Sequence, residues 1–298
     1  MVFSLITVVT TTRNGFEEPC HEESQYFCIR IVEEPWNMPA GKVKSMILDH
    51  LLHGSNHDTQ PEILVSPYVH LMDELIPLYF SEKADLSLFF IGGGAYTLPR
   101  AIQDTNPFAK ISVAELDPEV TMVAQRDLNV DISSMNIFHT DARVQLEKDE
   151  NNYDVIVGDA FHDIAIPPHL VTREMAKLIK SRLTTDGLYV LNVVDAFPDS
   201  EMVIAIMKTL KSEFEHVEGW LNDIPEGKSR VTYVISASDR TLSKDLIRSQ
   251  KGYNRQWLNV TTPLEQVSQN IGDIPLLTDD YAPIESLMSS LFTTGIGN

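Results

Sequence analysis

Five apolar segments between residues 86 and 194 constrain the fold more than any other feature of the sequence. They are Leu86–Ile91, Ile111–Ala114, Met135–His139, Tyr153–Val157 and Leu188–Val194. Strands that are apolar at almost every position are typical of a parallel sheet covered by helices on both faces. Apolar residues recur at helical spacing in His169–Arg182 and from about Asp199 to Phe214, with Asp199 or Ser200 as the predicted N-cap of the second helix. This alternation predicts a doubly wound α/β domain.

A closely connected pair of strands follows these elements. Val217–Leu221 and Val231–Ala237 are separated by turn-forming residues at positions 222–227. Two strands joined in this way must be antiparallel, because a parallel pair needs a longer crossover connection. A mostly parallel sheet with a terminal antiparallel hairpin predicts the Rossmann-like fold of AdoMet-dependent transferases rather than an NAD-binding fold.

The first 80 residues have a different pattern, in which turn formers such as Asn14-Gly15 separate short extended segments. The extended segments are Ser4–Thr12, Tyr26–Glu33 and Val43–Leu48. They predict a small antiparallel β domain, and the helical spacing of Tyr68–Phe80, which contains Pro77, predicts a connecting helix. We therefore expect residues 1–80 to form this β domain with its helix, and residues 81–298 to form the Rossmann-like domain.

The charge of the chain limits its partners. It has 23 Lys and Arg residues against 43 Asp and Glu residues, a net charge of −20, and no Lys/Arg-rich run. Such an acidic surface repels nucleic-acid phosphates and favours encounter with a cationic small molecule. The apolar stretch Val2–Val9 lacks a basic flank and is too short to span a bilayer. We expect neither a nucleic acid nor a membrane among the partners.

The cysteine and histidine patterns predict neither a disulfide framework nor a metal site. Cys20 and Cys28 lack the Cys-x-x-Cys spacing of redox and zinc sites, so we expect no disulfide framework and a cytoplasmic location. His53 and His57 have no carboxylate at a matching ligand spacing, and we expect them in a loop that holds no metal.

Glycine or acidic residues stand at the ends of four successive strands, which is where ligands bind in open α/β sheets. Gly92-Gly93-Gly94 lets the backbone approach a ligand, although Thr97 replaces the last glycine of a dinucleotide fingerprint. Glu115 ends the second strand and can accept both hydroxyl protons of a ribose. Asp141 follows the third strand and can accept a hydrogen bond from an exocyclic adenine amine. The pattern predicts a nucleoside-type ligand.

Asp159 ends the fourth strand and is followed closely by His162 and Asp163. Alkyl transfer from a sulfonium to an amine needs a deprotonated amine and a nearby carboxylate that takes its proton. Asp159 is the predicted base, and His162 and Asp163 are predicted to bind the amine substrate. The alternative is that Asp159 caps the next segment and that the other two are solvated loop residues.

Several segments together resemble the spermidine synthase family of polyamine aminopropyltransferases, in particular its divergent spermidine synthase-like branch. They are Glu23–Phe27, Leu48–His50, Leu52–Gly54, Gly92–Gly94, Ala114–Pro118, Asp141–Arg143, Tyr153–Asp159 and Leu277–Pro283. The resemblance implies frequent homodimers and transfer of an aminopropyl group from decarboxylated AdoMet to a diamine such as putrescine. By position, Glu115 would hold the ribose and Asp141 the adenine. Asp159 would be the base on the attacking amine, and Tyr68 would line the acceptor pocket.

The amine side of the site departs from the family's pattern. Ala95 stands where these synthases usually carry an aspartate that holds the aminopropyl nitrogen. Phe27, Val69 and Ile224 replace further polar residues of the family's motifs. Loss of a carboxylate opposite a cation removes about 2–5 kcal/mol of pairing, which is enough to change the substrate.

Three hypotheses therefore compete. The first, which we adopt, is aminopropyl transfer with Asp163 or Glu119 compensating for Ala95. The second is another AdoMet-dependent transfer, of a methyl or aminocarboxypropyl group, which keeps the nucleoside site but uses AdoMet itself. The third is a noncatalytic nucleoside-binding or interaction protein.

Overall fold

The computed structural model describes residues 20–35, 41–81, 83–161 and 165–293, so the strand expected at Ser4–Thr12 lies outside the described residues. The strands are β1 Glu22–Glu23, β2 Cys28–Glu33, β3 Val43–Leu48, β4 Leu51–His57, β5 Ser87–Ile91, β6 Lys110–Ala114, β7 Met135–Phe138, β8 Tyr153–Gly158, β9 Leu183–Phe197, β10 His216–Leu221, β11 Ser229–Ser238, β12 Leu246–Arg248 and β13 Gln256–Asn259. The helices are α1 Pro67–Tyr79, α2 Thr97–Thr105, α3 Pro118–Asp127, α4 Ala142–Lys148, α5 Arg173–Arg182, α6 Glu201–Lys211, α7 Thr261–Asn270, α8 Ile284–Leu287 and α9 Ser289–Thr293.

The larger sheet runs in the order β12-β13-β10-β11-β9-β8-β5-β6-β7. The five strands β9, β8, β5, β6 and β7 are parallel to one another. The other four strands, β11, β10, β13 and β12, each pair antiparallel with their neighbours. This confirms the predicted Rossmann-like α/β fold with its antiparallel hairpin β10–β11. The sequence did not predict the additional edge hairpin β12–β13.

Two hydrophobic clusters explain why the parallel strands are apolar at almost every position. On β5, Phe89 and Ile91 face a cluster built from α4 to α8, whereas Leu88 and Phe90 face one that includes α1, α2 and α3. All four side chains are at most 2% exposed. Burying a side chain of this size contributes about 1.5–3 kcal/mol, so both faces stabilise the sheet.

The smaller sheet is antiparallel, in the order β1-β2-β3-β4, and precedes the larger one as expected. Its residues Ile29 and Met46 belong to the same hydrophobic cluster as α1 and β5. Because that cluster joins the two segments, the domain boundary at residues 80 and 81 stays a prediction. No helix in the described part of the chain is long and apolar enough to cross a bilayer.

Strand β4 corrects the expectation that His53 and His57 lie in a loop, since both are part of this strand. The strand was missed because its buried positions are polar, which hides the alternation of apolar residues that marks a strand. Ser55 and Asn56 are at most 2% exposed. Ser55 shares a 2.8 Å hydrogen bond with Ser45, and Asn56 donates to the carbonyl of Ala95 at 2.8 Å.

The expectation of no disulfide is wrong. Cys20 and Cys28 form a disulfide, with their Cα atoms 5.2 Å apart. The absence of Cys-x-x-Cys spacing was misleading because the β1–β2 hairpin folds the chain back on itself, pairing Glu23 with Cys28. The predicted cytoplasmic location stays a prediction.

One helix start differs from the expected one, and another agrees with it. The helix expected from His169 begins at Arg173, and a separate 3₁₀ turn covers Pro168–Leu170. Thr172 stops the helix from extending further back, because its hydroxyl accepts the backbone N–H of Met175 and caps the first turn. Ser200 occupies the N-cap of α6, but its hydroxyl bonds to Ala196 and Tyr233 instead of the helix N–H groups.

Candidate functional site

A cavity of about 500 Å³ lies at the carboxyl ends of the parallel strands, with the smaller sheet forming part of its wall. Most of the predicted site residues line it, namely Tyr68, Gly92, Gly93, Gly94, Glu115, Asp141 and Asp159. His162 and Asp163 lie outside the described residues. The structure therefore brings together seven side chains or backbone positions that the sequence spreads over 92 positions.

The glycine turn after β5 is required by backbone geometry and by close contacts. Gly92 and Gly94 have φ angles of +93° and +50°, which other residues rarely adopt. A Cβ on Gly92 would lie 2.7 Å from the carbonyl oxygen of Asp159, and one on Gly94 would lie 2.9 Å from the carbonyl oxygen of His53. The turn is thus packed between β4 and β8 and opens onto the cavity.

Glu115 holds this turn in place. Its Oε2 accepts the backbone N–H groups of Gly93 at 2.8 Å and Gly94 at 3.2 Å, and its Oε1 accepts that of Asp117 at 2.9 Å. Burial raises the pKa of this carboxyl above its ordinary value, although the three N–H groups favour the charged form. The side chain is 7% exposed and faces the cavity from the end of β6.

Asp141 caps α4 and contacts a residue that the sequence did not identify. Its Oδ1 accepts the backbone N–H of Val144 at 3.0 Å, and its Oδ2 lies 2.8 Å from Nε2 of His169. Burial opposes ionisation of Asp141, but these two donors outweigh it and hold the pKa below its ordinary value. His169 also lines the cavity, and Arg143 donates to its carbonyl at 3.1 Å.

Asp159 lies directly after β8 between two donors from other elements. Asn192 of β9 donates its amide N–H to Oδ1 at 2.9 Å, and Tyr68 of α1 donates its hydroxyl to Oδ2 at 3.4 Å. Burial raises the pKa of Asp159 to about 6, and the two hydrogen bonds limit this rise. A carboxylate with this pKa is ionised at neutral pH and is still basic enough to accept a proton.

Position 95 supplies no charged group to the cavity. The Ala95 side chain is 1% exposed and lies against Gly54 of β4, where an added Cβ would come within 2.6 Å of it. Among the described residues, the carboxylates that line the cavity are Glu115, Asp141 and Asp159. Glu119, the other candidate to compensate for Ala95, is not part of this lining.

Sequence reasoning missed Asn192, His169 and Arg230, all of which line the cavity. Asn192 is the polar residue within the apolar run of β9, which was the available signal for it. His169 was assigned to a helix that in fact begins four residues later. Within the described ranges, no group of three or more metal-ligating side chains comes together.

The fold is the predicted Rossmann-like α/β fold, and its cavity lies at the carboxyl ends of the parallel strands. The sequence model of the spermine/spermidine synthase domain matches residues 76–245. Because this match covers more than half of the chain, the chain belongs to the spermine/spermidine synthase family.

Individual relatives agree with this family. The chain is 33% identical over 139 residues to a polyamine aminopropyltransferase from Vibrio vulnificus, covering 45% of this chain and 46% of that protein. The chain spans about half the length of the curated relatives it matches.

Two solved structures have the same fold. A probable spermidine synthase from Corynebacterium glutamicum superposes with a TM-score of 0.72 at 19% identity, over 88% of this chain and 96% of that one. A spermidine synthase in complex with the transition-state analogue AdoDATO has a TM-score of 0.59 at 19% identity, over 90% and 87% of the two chains. At these identities the likeness concerns the fold alone.

Proposed function

We propose that this protein is a transferase that moves the aminopropyl group of decarboxylated AdoMet to a primary amine. Putrescine, the acceptor that the family resemblance implies, is the reference substrate. The observation that carries this proposal is the position of Asp159, a carboxylate with a pKa raised to about 6, in the same cavity as Glu115 and Asp141. The relatives named polyamine aminopropyltransferase and spermidine synthase support it.

Two acidic residues are proposed to bind the nucleoside of the donor. Glu115 is assigned to the ribose hydroxyls, since its Oε1 accepts only one of the three N–H bonds found in the structure. Asp141 is assigned to the adenine amine at the next strand end. Gly92, Gly93 and Gly94 give the donor close access to the backbone between them.

Asp159 is proposed to take the proton of the attacking amine. The amine nitrogen forms a bond to the carbon next to the sulfonium, and the bond from that carbon to sulfur breaks. The electron pair returns to sulfur and gives neutral methylthioadenosine, while the proton of the nitrogen passes to Asp159. Tyr68 and Asn192 orient the carboxylate for this step, since each donates to one of its oxygens.

Residues outside the described ranges complete the proposal. His162 and Asp163 follow Asp159 by three and four positions, and we assign them to the amine side of the site on sequence grounds. Asp163 is the candidate partner of the aminopropyl nitrogen in place of Ala95. A cytoplasmic homodimer is the setting that the family resemblance implies, and both properties stay proposals.

Calorimetric titration with three ligands tests the donor. We expect decarboxylated AdoMet and methylthioadenosine to bind, decarboxylated AdoMet to bind more tightly than AdoMet, and Glu115→Ala to weaken both ligands that bind. Preference for AdoMet would instead favour methyl or aminocarboxypropyl transfer. Binding of none of the three would leave a noncatalytic protein with this fold.

A further inference from the structure

The charged side chains that line the cavity are distributed unevenly along the sheet. In the order β7-β6-β5-β8-β9-β11, Asp141 and Glu115 follow β7 and β6, Asp159 follows β8, and Arg230 lies on β11. Neighbouring strands are about 4.8 Å apart, so β11 lies roughly 10 Å beyond β8. Under the proposed function the nucleoside occupies the side of β6 and β7, and the acceptor extends from Asp159 over β9 and β11.

The carboxylates of the cavity already have hydrogen-bond donors, whereas the cation at its far end has no anionic partner. Glu115, Asp141 and Asp159 accept from backbone groups, His169, Asn192 and Tyr68. Among the described residues, no carboxylate lies within ion-pair distance of Arg230, whose side chain is exposed at the cavity. A cation in this position is available to a ligand.

The strand register gives the distance between this cation and the proposed base. Arg230 pairs with Ala196, and Val234 pairs with Asn192, the residue that donates to Asp159. The four steps from Arg230 to Val234 span about 13 Å along the strand. With the roughly 10 Å between β8 and β11, the backbone positions of Arg230 and Asp159 lie about 16 Å apart, a gap that the long arginine side chain and an aliphatic ligand span together.

The lining of the cavity is mainly apolar. Val194 of β9 and Leu51 and Leu52 of β4 line the cavity, and Thr232 is the β11 residue nearest to Arg230 along the same face. Such a wall suits the methylene groups of an aliphatic ligand. A second ammonium at its far end would meet a like charge, and juxtaposed like charges oppose binding.

We propose that Arg230 binds an acidic group at the far end of the acceptor. The preferred acceptor is then an aliphatic primary amine that carries a carboxylate, rather than a diamine. This inference rests on the proposed function, because it deepens the identity of the acceptor for the same reaction. The net charge of −20 attracts cations at long range, but Arg230 acts at contact distance and decides which end group the site accepts.

Matched acceptors test this proposal directly. Putrescine and 5-aminopentanoate have the same four methylene groups and differ only in the far end, and pentylamine provides an uncharged end. With decarboxylated AdoMet as donor, we expect the wild-type kcat/KM to be about three- to thirtyfold higher for 5-aminopentanoate than for putrescine. Arg230→Glu should reverse this order, and Arg230→Gln should bring all three acceptors close together.

The control is Arg248→Glu, which makes the same charge change at an exposed position of β12. We expect it to keep the wild-type ratio between the two acceptors. A wild-type protein that prefers putrescine, with a ratio that Arg230→Glu leaves unchanged, would overturn the proposal.

Two further arms separate the possible failures. If no acceptor is alkylated, the proposed function fails. The affinities of 5-aminopentanoate and putrescine for the protein saturated with methylthioadenosine then test the role of Arg230. The proposal predicts that 5-aminopentanoate binds more tightly than putrescine. If Arg230→Glu changes the ratio of affinities for AdoMet and decarboxylated AdoMet instead, the carboxylate belongs to the donor and the assignment to the acceptor is wrong.

Discussion

The amide of Asn192 donates to the Oδ1 of Asp159 across 2.9 Å, and this contact joins the end of β8 to the middle of β9 at the proposed reaction centre. Burial raises the pKa of Asp159 to about 6, and the hydrogen bond from Asn192 limits this rise. The balance leaves a group that is charged at neutral pH but binds a proton readily. This relationship predicts how activity depends on pH.

We expect the rate of transfer to fall as the pH drops below about 6, because protonated Asp159 cannot accept the proton of the amine. Tyr68→Phe removes a hydrogen bond that favours the charged form, so it should move this limb of the pH profile upward. The profile of kcat under saturating substrates measures both effects. A rate that stays constant from pH 7 to pH 5 would contradict the role of Asp159.

Asp159→Asn should lower kcat at pH 7.5 by about 10²- to 10⁴-fold, since the amide cannot take a proton. Binding of methylthioadenosine should stay within about twofold of the wild type. Asp85→Asn, at an exposed position before β5, is the matched control and should keep the wild-type rate. Equal activity of the two variants would show that the base lies elsewhere.

The same variant should change stability with a definite sign. Because the pKa of Asp159 is raised in the folded protein, its contribution to stability is greatest below pH 4 and is lost as the pH rises through about 6. Asp159→Asn should therefore be more stable than the wild type at pH 8 by on the order of 2 kcal/mol, and this gain should shrink at pH 4. Chemical denaturation at the two pH values measures it, and a gain that is equal at both would contradict the shifted pKa.

Glu115→Gln should weaken both the glycine turn and nucleoside binding. The amide nitrogen would face one of the three backbone N–H groups that the carboxylate accepts and leave it without an acceptor, at a cost of about 1–3 kcal/mol. We expect a lower free energy of unfolding and at least tenfold weaker methylthioadenosine binding. Glu150→Gln, at an exposed position, should change neither quantity.

The disulfide should support the part of the cavity wall that Tyr26 and Phe27 form. Tyr26 and Phe27 line the cavity and lie inside the loop that Cys20 and Cys28 close. Cys28→Ser should lower the free energy of unfolding by about 2–3 kcal/mol and raise the KM of the acceptor more than that of the donor. Thermal unfolding with and without a thiol reductant measures the first effect. Rapid reaction of both thiols in the untreated native protein would show that the bond does not form.

The central sheet was predictable because its physical signal is direct. Strands such as Leu86–Ile91 are buried on both faces, so almost every position is apolar. The hairpin β10–β11 followed from the short connection between its strands. Strand β4 escaped prediction because Ser55 and Asn56 are buried polar residues whose hydrogen bonds replace apolar packing.

The site was predictable where a single residue ends a strand and not where residues meet across elements. Glu115, Asp141 and Asp159 each follow an apolar run, and all three line the cavity. Asn192 lies inside such a run, and its contact with Asp159 joins positions 33 residues apart. The residues around Arg230 alternate between polar and apolar, as in many strands, so the sequence does not single it out. Only the register of β11 against β9 reveals its place in the cavity.

Mass spectrometry of the products tests the proposed function most directly. The purified protein is incubated with decarboxylated AdoMet and an equal mixture of putrescine and 5-aminopentanoate, beside Asp159→Asn. The account predicts that methylthioadenosine and an aminopropylated amine form in equal amounts, and that both fall together in the variant. Formation of a methylated amine from AdoMet in a parallel incubation, with no aminopropylated product from decarboxylated AdoMet, would contradict it.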